Sequence, residues 1–135
     1  MRALILFFAI SMTFAAPADA VTDDIAAAQR VIRSQEQAIG RDDAEAAYAL
    51  AAPGIKYIFP DATTFLGMVR KNYRAVYRHK SFEFGLSRSV DGVIIQDVQI
   101  IDTDGDAWAA RYTLERQPDG SLKINGCTLT KLVAA

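Results

Sequence analysis

The sequence predicts a single α+β domain in which N-terminal helices precede a four-stranded antiparallel meander. Three observations carry this reading. Residues 23–73 show helical periodicity interrupted at Gly40 and at Pro53-Gly54. From residue 81 the apolar period falls to two. Asp91-Gly92, Asp104-Gly105 and Pro118-Asp119-Gly120 then divide the second half into short strands. A chain of 135 residues, 51% hydrophobic and 23% charged, has a one-domain globular balance, which excludes a disordered or collagen-like chain.

The first 20 residues read as a secretory signal peptide, not as part of the fold. Arg2 gives a positive start, residues 3–16 carry no charge, and Pro17 ends any helix there. Ala18-Asp19-Ala20 then places small residues at the −3 and −1 positions of a cleavage site. The uncharged run is shorter than the about 20 residues a bilayer span needs. The expected product is one domain, 21–135, periplasmic or secreted, with no stable membrane span after cleavage. A lone cysteine, Cys127, excludes an internal disulfide framework. It reads as a buried inert thiol, with an intermolecular disulfide or a nucleophile as alternatives.

The first helix is predicted over 23–39. Thr22 caps it, Asp23 and Asp24 suit the positive end of its dipole, and Gly40 closes it. Ile25, Ala28, Ile32, Gln35 and Ile39 share one face. Gln35, polar on an apolar stripe, either bonds a buried backbone group or points into a cavity. The second helix, 42–52, is rich in alanine, and Ala46, Ala47, Leu50 and Ala51 make a thin face that admits close neighbours. Alternation of Ile55, Tyr57 and Phe59 predicts a short extended piece before Pro60. The third helix, 62–73, has Asp61, Thr63 and Thr64 as caps and Phe65, Met68 and Val69 as its apolar face. Residues 73–77 either continue it or begin a loop.

The first strand carries Phe82, Phe84, Leu86 and Val90. The second, 93–101, is apolar on both sides, with Ile94, Val98 and Ile100 on one and Val93, Ile95 and Ile101 on the other. Trp108, Ala110, Tyr112 and Leu114 alternate along the third. The fourth covers 122–133, with a bulge expected at Gly126. Each helix hides only one stripe, so the helices lie on one face of the sheet. The other face, with Ile95, Ile101 and Ala109, calls for a second subunit in a homodimer, or for a covering tail or loop.

Gly40-Arg41-Asp42-Asp43-Ala44-Glu45-Ala46-Ala47-Tyr48-Ala49-Leu50-Ala51-Ala52-Pro53-Gly54-Ile55, Phe65-Leu66-Gly67-Met68-Val69-Arg70, Tyr112-Thr113-Leu114-Glu115 and Gly126-Cys127-Thr128-Leu129 together resemble an uncharacterised family of exported bacterial proteins, a domain of unknown function. That family is grouped with the nuclear transport factor 2-like, or ketosteroid isomerase-like, superfamily of cystatin-like α+β folds. The resemblance implies a cone-shaped fold in which a curved sheet wraps around helices and leaves a pocket. It implies no activity, because members include isomerases, dehydratases, cyclases and plain binding modules. Asp97 as a base, with Tyr48 or Tyr57 as the acid, matches by motif no catalytic position of the isomerases.

Residue chemistry supplies the candidate sites. Trp108 and Tyr112 share a face with Phe82 and Phe84, and Tyr48, Tyr57 and Phe59 come from the helical side. They read as core, or as an aromatic pocket for an apolar or planar small molecule. Gln96 shares the phase of Ile94 and Val98 and would orient such a ligand. Arg88 shares the phase of Phe84 and Leu86, and either does the same or snorkels outwards at the sheet rim. Asp97 is acidic within an apolar strand, but its phase puts it on the outer face. Arg70, Arg74 and Arg78 fall at helical spacing and form either a solvated ridge or an anion site. His79 reads as a loop residue between Arg78 and Lys80. Asp102-Thr103-Asp104-Gly105-Asp106 mimics a calcium loop, but Gly105 is misplaced and Thr113 stands where a bidentate Glu belongs, so a hairpin turn is expected. One His and one Cys exclude a zinc site made only of those types. No cofactor is implied. A net charge of −1, together with export, argues against nucleic acid as a partner. The leading expectation is a non-catalytic binding or accessory module, with an isomerase- or dehydratase-like enzyme in the same pocket as the alternative. A third is an electrostatic partner of anionic envelope components.

Overall fold

Within the described residues the first helix is already formed at Ala18, five residues before the predicted start. The computed structural model describes residues 18–133; residues 1–17 of the expected signal peptide lie outside them. Helix α1 spans Ala18–Gly40, with Asp19 in its first turn. Nothing between 18 and 22 breaks a helix, and Ala18 and Ala20 favour one, so Thr22 falls inside α1 and does not cap it. Its buried stripe is Ala28, Ile32, Gln35, Ala38 and Ile39. The left-handed residue that reverses the chain is Asp42, at φ 57°, and not Gly40.

Helix α2, Ala44–Ala49, is capped by Asp43, whose side chain accepts the Ala46 N–H at 3.1 Å. Where an extended piece was expected, α3 spans Pro53–Ile58. Pro53 sits at the first helical turn, where its fixed φ fits and its missing N–H costs nothing. Ile55 and Phe59 are two apart from Tyr57 but four apart from each other, so the same spacing serves a strand or one helical face. Helix α4, Ala62–Asn72, starts at Asp61, whose carboxylate accepts the Thr64 N–H at 2.7 Å. The chain breaks at Tyr73 (φ −127°, ψ 51°) before the single turn α5, Arg74–Tyr77. No described helix is long and apolar enough to cross a membrane.

The strands are β1 (His79–Val90), β2 (Val93–Asp102), β3 (Ala107–Arg116) and β4 (Leu122–Lys131). They form one open antiparallel sheet in the order β1-β2-β3-β4. Asp91 and Gly92 both take positive φ, 50° and 81°, as a two-residue hairpin with a matching twist requires. In β4 the partners run Thr113↔Gly126 and then Leu114↔Ile124, which leaves Asn125 as the extra residue beside the glycine expected to mark a bulge. In β1 a second irregularity falls between Phe84 and Ser87.

The buried inner face of the sheet (Phe82, Ile94, Val98, Ile100, Ala110, Tyr112, Leu114, Ile124) packs on Ala28, Ile32 and Ile39 of α1, Ala47 of α2, Phe65 and Val69 of α4 and Val76 of α5. The α2–α3 junction is tied to β4 by two bonds, Ala52 N–H to Ile124 O at 2.8 Å and Ile124 N–H to Leu50 O at 2.9 Å. Asp97 does face outwards, where Arg111 Nε and Nη2 donate to its two oxygens at 2.8 and 3.2 Å. That pair holds the Asp97 carboxyl below its usual range.

Candidate functional site

Between the C-terminal half of α1, helices α3 to α5 and the β3–β4 end of the sheet lies a cavity of about 310 Å³. The thin alanine face of α2 and the left-handed turn at Asp42 let the helices approach without closing over it. Ile39, Ile55, Phe59, Phe65, Met68, Val69, Val76 and Ile124 supply its apolar wall, and Ile58 stands at its rim, 66% exposed. Its polar contributors already have partners. Gln35 Nε2 donates to Ala47 O at 3.2 Å. Tyr73 OH donates to Cys127 O at 2.9 Å. The Cys127 thiol lies 3.9 Å from Thr128 O. Among the described residues, none that lines the cavity is charged.

This lining sets the chemistry. Burial pushes the Cys127 thiol up to about 12, and hydrogen bonding from Tyr112 only partly offsets it. Burial likewise raises the Tyr112 phenol well above its ordinary value and raises that of Tyr73. At neutral pH all three are uncharged, so Cys127 is a poor nucleophile and neither phenol is a base. A larger depression, about 530 Å³, lies on the outer face, but all its lining residues belong to the sheet, so it has a floor and no roof. The space lined by both the helices and the sheet is the better candidate.

Phe59 and Tyr112 line the cavity as expected from sequence, and Gln35 both bonds a backbone carbonyl and faces in. Tyr48 stands behind the wall: its hydroxyl donates to Phe59 O at 2.5 Å and its ring packs 5.7 Å from that of Phe65. Tyr57 points away, 91% exposed, because α3 turns it opposite to Ile55 and Phe59. Trp108 is on the inner face, paired with Ile100, but at the far end, where its Nε1 donates to Asp102 Oδ2 at 2.8 Å. Arg88 is exposed and pairs with Ile95 of the outer face. The irregularity after Phe84 shifts β1 by one residue, so the phase read from Phe84 and Leu86 does not reach it.

Gln96 is fully buried but outside the cavity. Its Nε2 donates to Gly85 O and Leu86 O, each at 3.3 Å, and to Asp97 O at 2.7 Å. Its Oε1 accepts from Gln29 Nε2 at 3.0 Å and from the Ser87 hydroxyl. It fastens the bulge in β1 instead of orienting a ligand.

The basic ridge is not continuous, because the break at Tyr73 separates Arg70 from Arg74. Arg70 Nη2 and Arg78 Nη2 instead converge on Asp42 at 3.0 and 3.1 Å, and Tyr77 OH donates to the same carboxylate at 2.6 Å. The anion between these arginines is a side chain of the chain itself. His79 opens β1 and is half-buried; Nδ1 lies 2.9 Å from Ala75 O and Nε2 2.7 Å from Glu36 Oε1. Arg33 Nη1 donates to the other Glu36 oxygen at 2.6 Å. Asp102 Oδ1 accepts the Asp104 and Asp106 N–H groups at 2.9 Å each, which makes that stretch a hairpin turn.

Sequence reasoning did not assign Tyr73, Cys127, Ile55, Ile58 or Met68 to the cavity. The usable signal was the undecided end at Tyr73, since an aromatic at a helix break is free to turn inwards.

The chain belongs to a family described as a domain of unknown function (DUF4864), which matches residues 21–134. No curated protein and no solved structure matches it.

Proposed function

We propose that this protein is an exported, non-catalytic binding module that holds an uncharged, apolar group in the cavity between its helices and the inner face of its sheet. The observation that carries this reading is the uncharged lining. Taking apolar surface out of water there is favourable, while an unpaired charge would be costly to bury. The isomerase-like alternative needs a general base in the cleft. No carboxylate or imidazole lines this one, among the described residues, and its thiol and phenols are held in their neutral forms. The reading as an electrostatic partner of anionic envelope components loses support, because Asp42 already occupies Arg70 and Arg78.

Export is supported by the pattern of residues 2–20 and by a family match that begins at residue 21. The intact mass of protein recovered from its host should correspond to a chain starting at Val21; an uncleaved Met1 start would remove the export reading. Binding is tested with a neutral fluorescent apolar probe. The wild type should bind it, and Met68→Trp, which fills the half-buried wall, should abolish binding while leaving the thermal melt cooperative. Equal binding by both proteins would place the probe elsewhere.

A further inference from the structure

We infer that the cavity takes the chain end of a single-chain amphiphile, with the polar head left outside at the rim of α3; this rests on the binding role proposed above. Four features converge on that class. The cavity is small: at ~30 Å³ for each water-sized group, it holds about ten of them. A two-chain lipid exceeds that room. Two of the polar side chains that reach the cavity are engaged within the protein, Gln35 with Ala47 and Tyr73 with the Cys127 carbonyl, and among the described residues no buried side-chain nitrogen or oxygen lacks a partner. The buried part of the ligand therefore needs to be apolar along its length.

Among the described residues, none that lines the cavity offers a counter-charge, so a charged head stays in water. The rim supplies a path for the connecting stretch. Helix α3 places Ile55 and Phe59 in the wall and Ile58 at the lip, where its side chain is largely exposed. A large apolar side chain left in water at the mouth of an apolar cavity extends the greasy surface outwards. A chain too long for the interior leaves along Ile58.

The test is a chain-length series measured by displacement of the apolar probe. Affinity for n-alkanols should rise about fourfold per added methylene and level off near about ten carbons. Head placement is tested with Ile58→Glu against Ile58→Gln. If the head sits at the lip, the new carboxylate should weaken decanoate about fivefold relative to its effect on decanol, the size of one unit charge repulsion near water. The neutral Gln control should weaken both alike. A flat chain-length series with tight binding of a rigid planar probe would overturn this ligand class and leave the binding role standing. Equal effects of Ile58→Glu on decanoate and decanol would overturn the head placement. Failure of the wild type to bind any apolar probe would overturn the binding role itself. The wild-type series needs no variant to fold.

Discussion

Asp42 takes the left-handed conformation at the α1–α2 turn and there receives two guanidinium groups and one phenol. The Tyr77 hydrogen bond, then that of Arg70, holds its carboxyl down at about 2, against 3.8 for an ordinary one. A carboxyl with a depressed folded-state value stabilises the fold fully above its unfolded value and loses that contribution as pH falls through the folded one. The loss therefore falls between pH 3.8 and about 2. Asp42→Asn should keep the backbone, since Asn tolerates positive φ. It should lower the melting temperature at neutral pH and flatten its fall through that acid window. An unchanged acid profile in thermal denaturation would show that the cluster contributes nothing. The arginines were visible in the sequence as a charge cluster. Their partner was not, because Asp42 lies 28 residues from Arg70 and 36 from Arg78.

At the scale of elements, two short irregularities did most to relocate the candidate residues. The first is the bulge in β1, held by Gln96 from β2 and by Ser87. Removing the amide with Gln96→Leu takes the donor from the part-buried carbonyls of Gly85, Leu86 and Asp97. The expected cost is about 1–2 kcal/mol, read as a lower midpoint in urea denaturation. A neutral effect would mean that β1 runs straight without the bulge. The second is α3. A five-residue stretch gives too few positions to separate period two from a helical turn, and Pro53 was read as a stop for α2 when it also starts α3. That one change turns Tyr57 outwards and makes Ile58 the lip of the cavity. Long elements were more legible: the four strands and the two longer helices each repeat their pattern often enough for one error not to mislead.

For the whole molecule, the cavity is a by-product of how helices of unequal length cover one sheet. Alanines in α2 permit close approach, while the break at Tyr73 turns the chain and swings that ring inwards. The resulting space is bounded by α1, α3, α4, α5, β3 and β4, so mutations that fill it should act alike wherever they come from. Met68→Trp is the gentlest of these, because Met68 is only half-buried and its wall can yield.

The sequence by itself determined the α+β class, that helices precede four antiparallel strands, the hairpin turns and the face on which Tyr112 lies. These follow from local periodicity and turn chemistry, which act between near neighbours and are written in the chain. Only the tertiary structure decided which aromatics meet in one space, that Asp42 fills the arginine cluster and that Gln96 serves a bulge. Those depend on contacts between residues far apart in sequence, and a one-residue shift in β1 or a half-turn in α3 reverses the side to which a residue points.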